Sequence, residues 1–172
     1  GTGQGVSVLE VIAAFEKACS ASDQPLKLVI IGEGKEAEKV DFLIKNSPFS
    51  QNIERFGILI GEDFAQKYRE ADCFVLASRV ETFGTVLIEA MANGLPVIAT
   101  RSGGPEFFVH KNLGTIVEPD SADSLAGAML GFLAEKTKFN RTEIRSHAVE
   151  FYSEKPVTRL FLDIYGLILG QK

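Results

Sequence analysis

Five short apolar runs limit what this chain can become: residues 26–31, 53–60, 73–77, 96–100 and 114–117. Residues 26–31 do not alternate apolar with polar side chains, and the set reads as strands buried on both faces. Between the runs lie segments with helical spacing. Val8, Leu9, Val11, Ile12, Phe15 and Ala18 mark a helix over residues 6–21. Others fall over about 35–46, 62–71, 121–134, 142–152 and 155–169, with a helical turn at 106–109. Asp120-Ser121 and Asn140 stand where N-caps belong. Strand and helix alternate throughout, which predicts an α/β fold: a doubly wound, Rossmann-like parallel sheet. Ligands in such sheets sit at the carboxyl ends of the strands. Residues 32–34, 61–63, 78–84 and 101–106 should share that edge.

The densest chemistry lies between Glu81 and Thr100. Val86, Leu87, Ala90, Met91 and Leu95 repeat at helical spacing, so a helix starts near Gly84 or Thr85 and Asn93-Gly94 ends it. Glu89 stands about one turn inside, among Leu87, Ile88, Ala90 and Met91, and is expected to be partly buried and in need of a partner. Four residues of helix rise only about 6 Å, and helical side chains lean toward the N-terminus. Glu81 and Glu89 therefore flank one helix N-terminus, whose free N–H groups favour a phosphate. Carboxylates accept hydrogen bonds from hydroxyls. Together these groups suit a sugar nucleotide, with hydroxyls at both ends and a pyrophosphate between; a solvated helix surface is the bland alternative.

Other features weigh less. Gly32-Glu33-Gly34-Lys35-Glu36-Ala37 fits a dinucleotide fingerprint of the form G-x-G-x-x-A, which alone points to NAD; an ordinary glycine turn is the alternative. No acid marks a second strand end about 20 residues on. Ser102-Gly103-Gly104 is a tight turn or a place where backbone approaches a ligand. Arg101 and Lys35 are candidate phosphate partners. His110 and His147 have no nucleophile pattern beside them and read as non-catalytic. Phe83, Phe107 and Phe108 read as mostly core.

A chain of 172 residues, 45% apolar, fits one domain. A net charge of −5 argues against a nucleic-acid surface. Cys19 and Cys73 make no metal or redox spacing, and there is neither a signal segment nor an apolar run near the ~18 residues a membrane span needs. A reduced, cytoplasmic setting is expected. The abrupt start suggests a piece of a longer protein.

The block ADCFVLASRVETFGTVLIEAMANGLPVIATRSGGPEFF resembles the donor-binding half of GT-B glycosyltransferases, in the retaining group called family 4 or group 1. The E-x7-E signature is Glu81 to Glu89, within E-x-F-G-x-x-x-x-E-A-M-A-x-G-x-P-V-I-A-T. G-G-x-E follows at Gly103, Gly104 and Glu106. Weaker similarity extends upstream through KLVIIGEG and downstream through NLGTIVEPDSADSLAGAM. The resemblance implies that Glu81, the catalytic assignment, binds donor hexose hydroxyls. Phe83, Gly84, Thr85 and Val86 would offer backbone N–H groups to sugar and pyrophosphate. Glu89 would hold the ribose, Arg55 to Gly57 would border the base, and Gly34, Gly103 and Gly104 would line the donor pocket. By the same resemblance the donor would be a UDP- or GDP-sugar, with no other cofactor and no essential metal, and the sequence has no Asp-x-Asp motif. The reaction would proceed on the donor's front face without a protein nucleophile.

Two departures from the family pattern stand out. Gln4 precedes Gly5 where relatives carry lysine, and the companion arginine would fall before Gly1. The N-terminal domain, which would bind an acceptor of unknown class, is not in this sequence. The helix over 155–169 is apolar on several faces and would pack on that domain; uncovered, it would favour self-association or a membrane surface. The alternatives are another GT-B enzyme, such as a UDP-sugar epimerase or glucan synthase, and a non-catalytic module of the same fold.

Overall fold

The structure is a computed structural model, and it describes residues 7–170. In chain order the elements are α1 (Val8–Ala21), β1 (Leu28–Ile31), α2 (Ala37–Asn46), β2 (Ile53–Phe56), α3 (Gly61–Glu70), β3 (Phe74–Leu76) and α4 (Thr85–Ala92). They continue as β4 (Val97–Thr100), β5 (Gly114–Val117), α5 (Ala122–Glu135), α6 (Arg141–Tyr152) and α7 (Glu154–Ile168). Caps set several boundaries. Ser121 Oγ accepts from Ser124 N–H at 3.1 Å, and Asn140 Oδ1 accepts from Thr142 N–H at 3.0 Å. Each such cap stabilises a helix start by roughly 1 kcal/mol. Gly94 closes α4 in the left-handed region at φ 78°.

All strand pairs are parallel. β3, β4 and β5 form one sheet, with Val97 opposite both Phe74 and Gly114. Successive residues of these strands point to opposite faces, as the strand period of two requires. Leu76, Val97 and Ala99 pack with Leu87 and Met91 of α4 and Ile144 of α6. Ala77 and Ile98 pack the other way, with Val11 and Ala14 of α1 and Leu125 of α5. Helices therefore cover both faces, and β4 is buried along its whole length.

A single sheet was expected; the strands fall into two. β1 and β2 pair separately, Leu28 opposite Ile53, and among the described residues no ladder joins them to β3. Helix α1 spans both groups. Its Ile12 and Phe15 pack with Val40 and Ile53, while its Val11, Ala14 and Ala18 serve the other sheet. Ser7 N–H donates to Ala77 O at 2.8 Å, tying the start of α1 to the carboxyl end of β3. β2 also ends sooner than the apolar run implies. Gly32 N–H takes Phe56 O and Gly57 O, and the chain then turns out, leaving Ile58 and Ile60 exposed.

α7 packs against α6, yet none of its residues is buried. Leu160, Phe161, Leu162, Tyr165, Leu167 and Ile168 are all exposed. No helix among the described residues is long and apolar enough to cross a membrane.

Candidate functional site

The carboxyl edge of β3 and β4 is tied together before the site loop begins. Ser78 N–H donates to Thr100 Oγ1 at 2.8 Å, and that hydroxyl donates to Ser78 O at 2.5 Å. From there the chain runs to Gly84, the N-cap of α4, at φ 85°. Only glycine holds that conformation without strain. Glycine also has no side chain with which to cap the helix, and no acidic residue occupies the first turn. The first-turn N–H groups at Thr85 and Val86 thus have no capping side chain, and both residues are exposed. The positive end of the helix dipole is left to solvent, where an anion gains about 0.3–1 kcal/mol.

Glu81 sits beside that terminus. Its Cγ lies 3.5 Å from the position a Cβ on Gly84 would take. Glu89 differs from the sequence expectation, because it is exposed rather than partly buried. Leu87, Ala90 and Met91 turn the apolar face of α4 inward, and Glu89 falls on the outer side. Neither carboxylate has an ion pair or side-chain hydrogen bond among the described residues. Two uncommitted carboxylates therefore border one open helix start.

Residues 101–106 close against this loop. Glu81 and Gly103 form a parallel bridge, with Glu81 N–H to Ser102 O at 2.9 Å and Gly104 N–H to Glu81 O at 2.8 Å. The Glu106 carboxylate accepts from Ser102 N–H at 3.1 Å and from Gly103 N–H at 3.0 Å. The N–H groups of Gly103 and Gly104 are thus used inside the protein, the first within its own turn and the second across to the Glu81 loop. The motif glutamate Glu106 is the staple of that turn. Phe83 stands over it, half exposed, with its ring 5.7 Å from Phe108 and 6.1 Å from Tyr152. Phe108 is core as expected, but Phe83 is not, and Phe107 is 90% exposed.

Several other sequence candidates have protein partners of their own or lie exposed. Arg55 was expected to border a nucleotide base. Its guanidinium reaches α2, with Nη1 3.1 Å from Asp41 Oδ1. Arg101 pairs with Glu118 at 2.9 Å, which commits its charge. Gly34 and Lys35 lie exposed after β1. Gly32 to Ala37 does join a strand to a helix, but β2 ends at Phe56 and Gly57 follows it, with no acid there for a ribose. His110 and His147 meet edge to face at 5.2 Å, and burial, then His110, holds His147 below the usual imidazole value. Gln4 and Gly5 lie outside the described residues.

Two polar residues near the site were missed. Tyr68 Oη and Ser78 Oγ are buried with no hydrogen-bond partner among the described residues. Tyr68, on α3, is 6% exposed, and burial together with the charge of Glu89 pushes its phenol up to about 12. Neither residue belongs to a spacing motif, so only three-dimensional packing reveals them.

Against known proteins, residues 6–148 match the family model described as "Glycosyl transferases group 1". An N-acetyl-alpha-D-glucosaminyl L-malate synthase from Bacillus anthracis is 32% identical over 96% of this chain and 43% of its own length. A GDP-mannose-dependent alpha-mannosyltransferase from Mycolicibacterium smegmatis is 32% identical over 75% of this chain and 33% of its own. Among solved structures, a glycosyltransferase from Rickettsia africae matches with a TM-score of 0.78 at 26% identity, covering 95% of this chain and 45% of that one. The chain thus spans less than half the length of these relatives. Family match, relatives and GT-B Rossmann-like fold agree: the chain belongs to the glycosyl transferases group 1 family.

Proposed function

We propose that this chain is the donor-binding half of a retaining hexosyltransferase that uses a nucleoside diphosphate sugar, with UDP or GDP as the carrier. The observation that carries the reading is the open N-terminus of α4, with Glu81 against its N-cap and Glu89 one turn along, both uncommitted. Backbone N–H groups from Phe83 to Val86 would hold the pyrophosphate. Glu81 would orient the hexose, and Glu89 would take the ribose diol. Charge develops on the leaving diphosphate as the glycosidic bond breaks, and fixed N–H dipoles act there without reorganising. The acceptor hydroxyl loses its proton to the leaving-group oxygen on the same face, so the anomeric configuration is kept. An N-terminal domain would supply the acceptor site and cover α7. The M. smegmatis relative, GDP-mannose-dependent by its name, supports a nucleotide-sugar donor.

Calorimetric titration with UDP, GDP, ADP and NAD tests this. One nucleoside diphosphate should bind, and Glu89→Ala should weaken it about tenfold or more, as the loss of hydrogen bonds to a charged group implies. Preference for NAD over every nucleoside diphosphate would overturn the reading.

The uncovered α7 carries a second expectation. Its exposed apolar side chains, among them Leu160, Phe161, Leu162, Leu167 and Ile168, lie together on one helix, and contiguous apolar surface of this kind marks an interaction face. Alone, the chain should self-associate as concentration rises in a sedimentation series, and Leu160→Asp with Leu167→Asp should return it to a monomer. Ideal monomer behaviour of the unsubstituted chain at high concentration contradicts this.

A further inference from the structure

β1 and β3 each present an open edge. Phe74 N–H donates to Pro96 O and Ser78 N–H to Thr100 Oγ1, so alternate residues of β3 face β4. By that alternation the backbone groups of Cys73, Val75 and Ala77 aim away from β4. In β1, Gly32 N–H turns to Phe56 O, which leaves Val29 and Ile31 aimed away from β2. The two open edges meet the same roof: Leu28 and Val75 pack into one cluster with Val11, Ala14 and Ala18 of α1. Yet no ladder joins the two strands among the described residues. A helix with its side chains is about 10–12 Å across, enough to roof strands two spacings, roughly 9.5 Å, apart. One strand fits between them.

A single bond already marks that place. Ser7 N–H donates to Ala77 O at 2.8 Å, on the side of β3 that faces away from β4. Ser7 thus stands where the last residue of a strand beside β3 would stand. α1 follows at once, crosses above, and the chain then enters β1. This is the path of a parallel βαβ unit, whose crossover is usually a helix. With a strand in the slot, the order β2, β1, slot, β3, β4, β5 becomes the 3-2-1-4-5-6 order of a doubly wound sheet. Burial agrees. β4, paired on both sides, is buried throughout, whereas Val29 is exposed and Val75 only partly buried.

We propose that the space between β1 and β3 is a strand-accepting slot, and that its occupant is the segment of the longer polypeptide that leads into Ser7. It enters parallel to both neighbours and joins the two sheets into one. The curated relatives extend well beyond the part that this chain matches, which leaves ample sequence for such a segment. A parallel strand buried on both faces reads as a continuous apolar run, and that is the composition the slot selects. Open strand edges also template pairing between copies. The lead-in is tethered at the mouth of the slot, where its effective concentration is on the order of millimolar, so it outcompetes a second copy.

Amide exchange followed residue by residue by NMR, on residues 1–172 and on the full-length protein that contains them, tests this. In residues 1–172 the slot-facing N–H groups of Val29, Ile31 and Val75 should exchange at least about a hundredfold faster than those of Ile30 and Leu76, which face their own sheets. In the full-length protein that difference should close, and Val29 and Val75 should both show backbone contacts to one upstream segment. Exchange that stays fast at these three residues in the full-length protein would overturn the proposal. Direct backbone contact between Val29 and Val75 would do the same, because the edges would then close on each other. So would protection in residues 1–172 that grows with concentration, which puts a second copy in the slot. The contacts in the full-length protein decide on their own, whether or not residues 1–172 hold their fold.

Discussion

Gly104→Ala should abolish nucleotide binding while the chain still folds. A Cβ at this position would lie 2.6 Å from Phe83 Cα, 2.7 Å from its N and 2.8 Å from its C. These are backbone atoms, so no flexible side chain can yield. Gly104 itself is at φ −57°, ψ −50°, ordinary helical backbone that alanine adopts freely. The effect is therefore steric and confined to the loop contact, not a strain within residue 104. Phe83 cannot retreat without breaking its packing on Phe108 and Tyr152. The alternative is to part the Glu81–Gly103 bridge, which displaces the proposed hexose carboxylate. Either route misplaces the start of α4. Overpacking of this kind costs about 1–3 kcal/mol, which a folded chain survives. Paired thermal melts and calorimetry check it: a modest fall in melting temperature with binding lost. Affinity within twofold of the unsubstituted chain would contradict it.

Local signals in the sequence located the elements well, because caps and periodicity are local physics. Ser121 and Asn140 cap their helices because their side chains meet N–H groups two or three residues on. The spacing of Leu87, Ala90 and Met91 likewise sets the inward face of α4 whatever lies beneath it. What escaped was partnership across the chain. Nothing in residues 53–60 says that Gly57 leaves the ladder against Glu33. Arg55 resembles a free cation until Asp41, fourteen residues earlier, folds beside it. Gly103-Gly104 read as a tight turn or as a ligand approach, and the close packing of Gly104 on the Phe83 backbone is invisible in either reading. The division of the sheet was hidden for the same reason, since an apolar run marks a strand without naming its neighbour. The exposure of Glu89 was legible in principle. It stands two residues from Leu87, about 200° around the helix, and so opposite the core.

That arrangement makes α4 a helix whose two faces fail differently. Leu87→Ala should be the most destabilising single substitution in the site. Leu87 is fully buried, and its Cδ1 lies 3.1 Å from where a Cβ on Gly84 would be. It fills the core and also braces the left-handed turn that opens the helix. Truncation to alanine in such a position costs about 2–5 kcal/mol through lost transfer energy and a residual cavity. At roughly 2–4 °C per kcal/mol for a chain of this size, the melting temperature should fall by about 10 °C. Glu89→Ala, two residues along, removes an exposed side chain with no protein partner, and stability should change by less than about 0.5 kcal/mol. Binding should respond in the opposite order: a loss of about tenfold or more at Glu89 even when fully folded, and at Leu87 a loss that follows the unfolded fraction and recovers on cooling. A cold titration of Leu87→Ala therefore tells support from contact. Binding restored below its transition would place Leu87 in the scaffold. Binding absent in a fully folded variant would mean that α4 shifts as a unit when its core residue is cut, and that Gly84 is held from below.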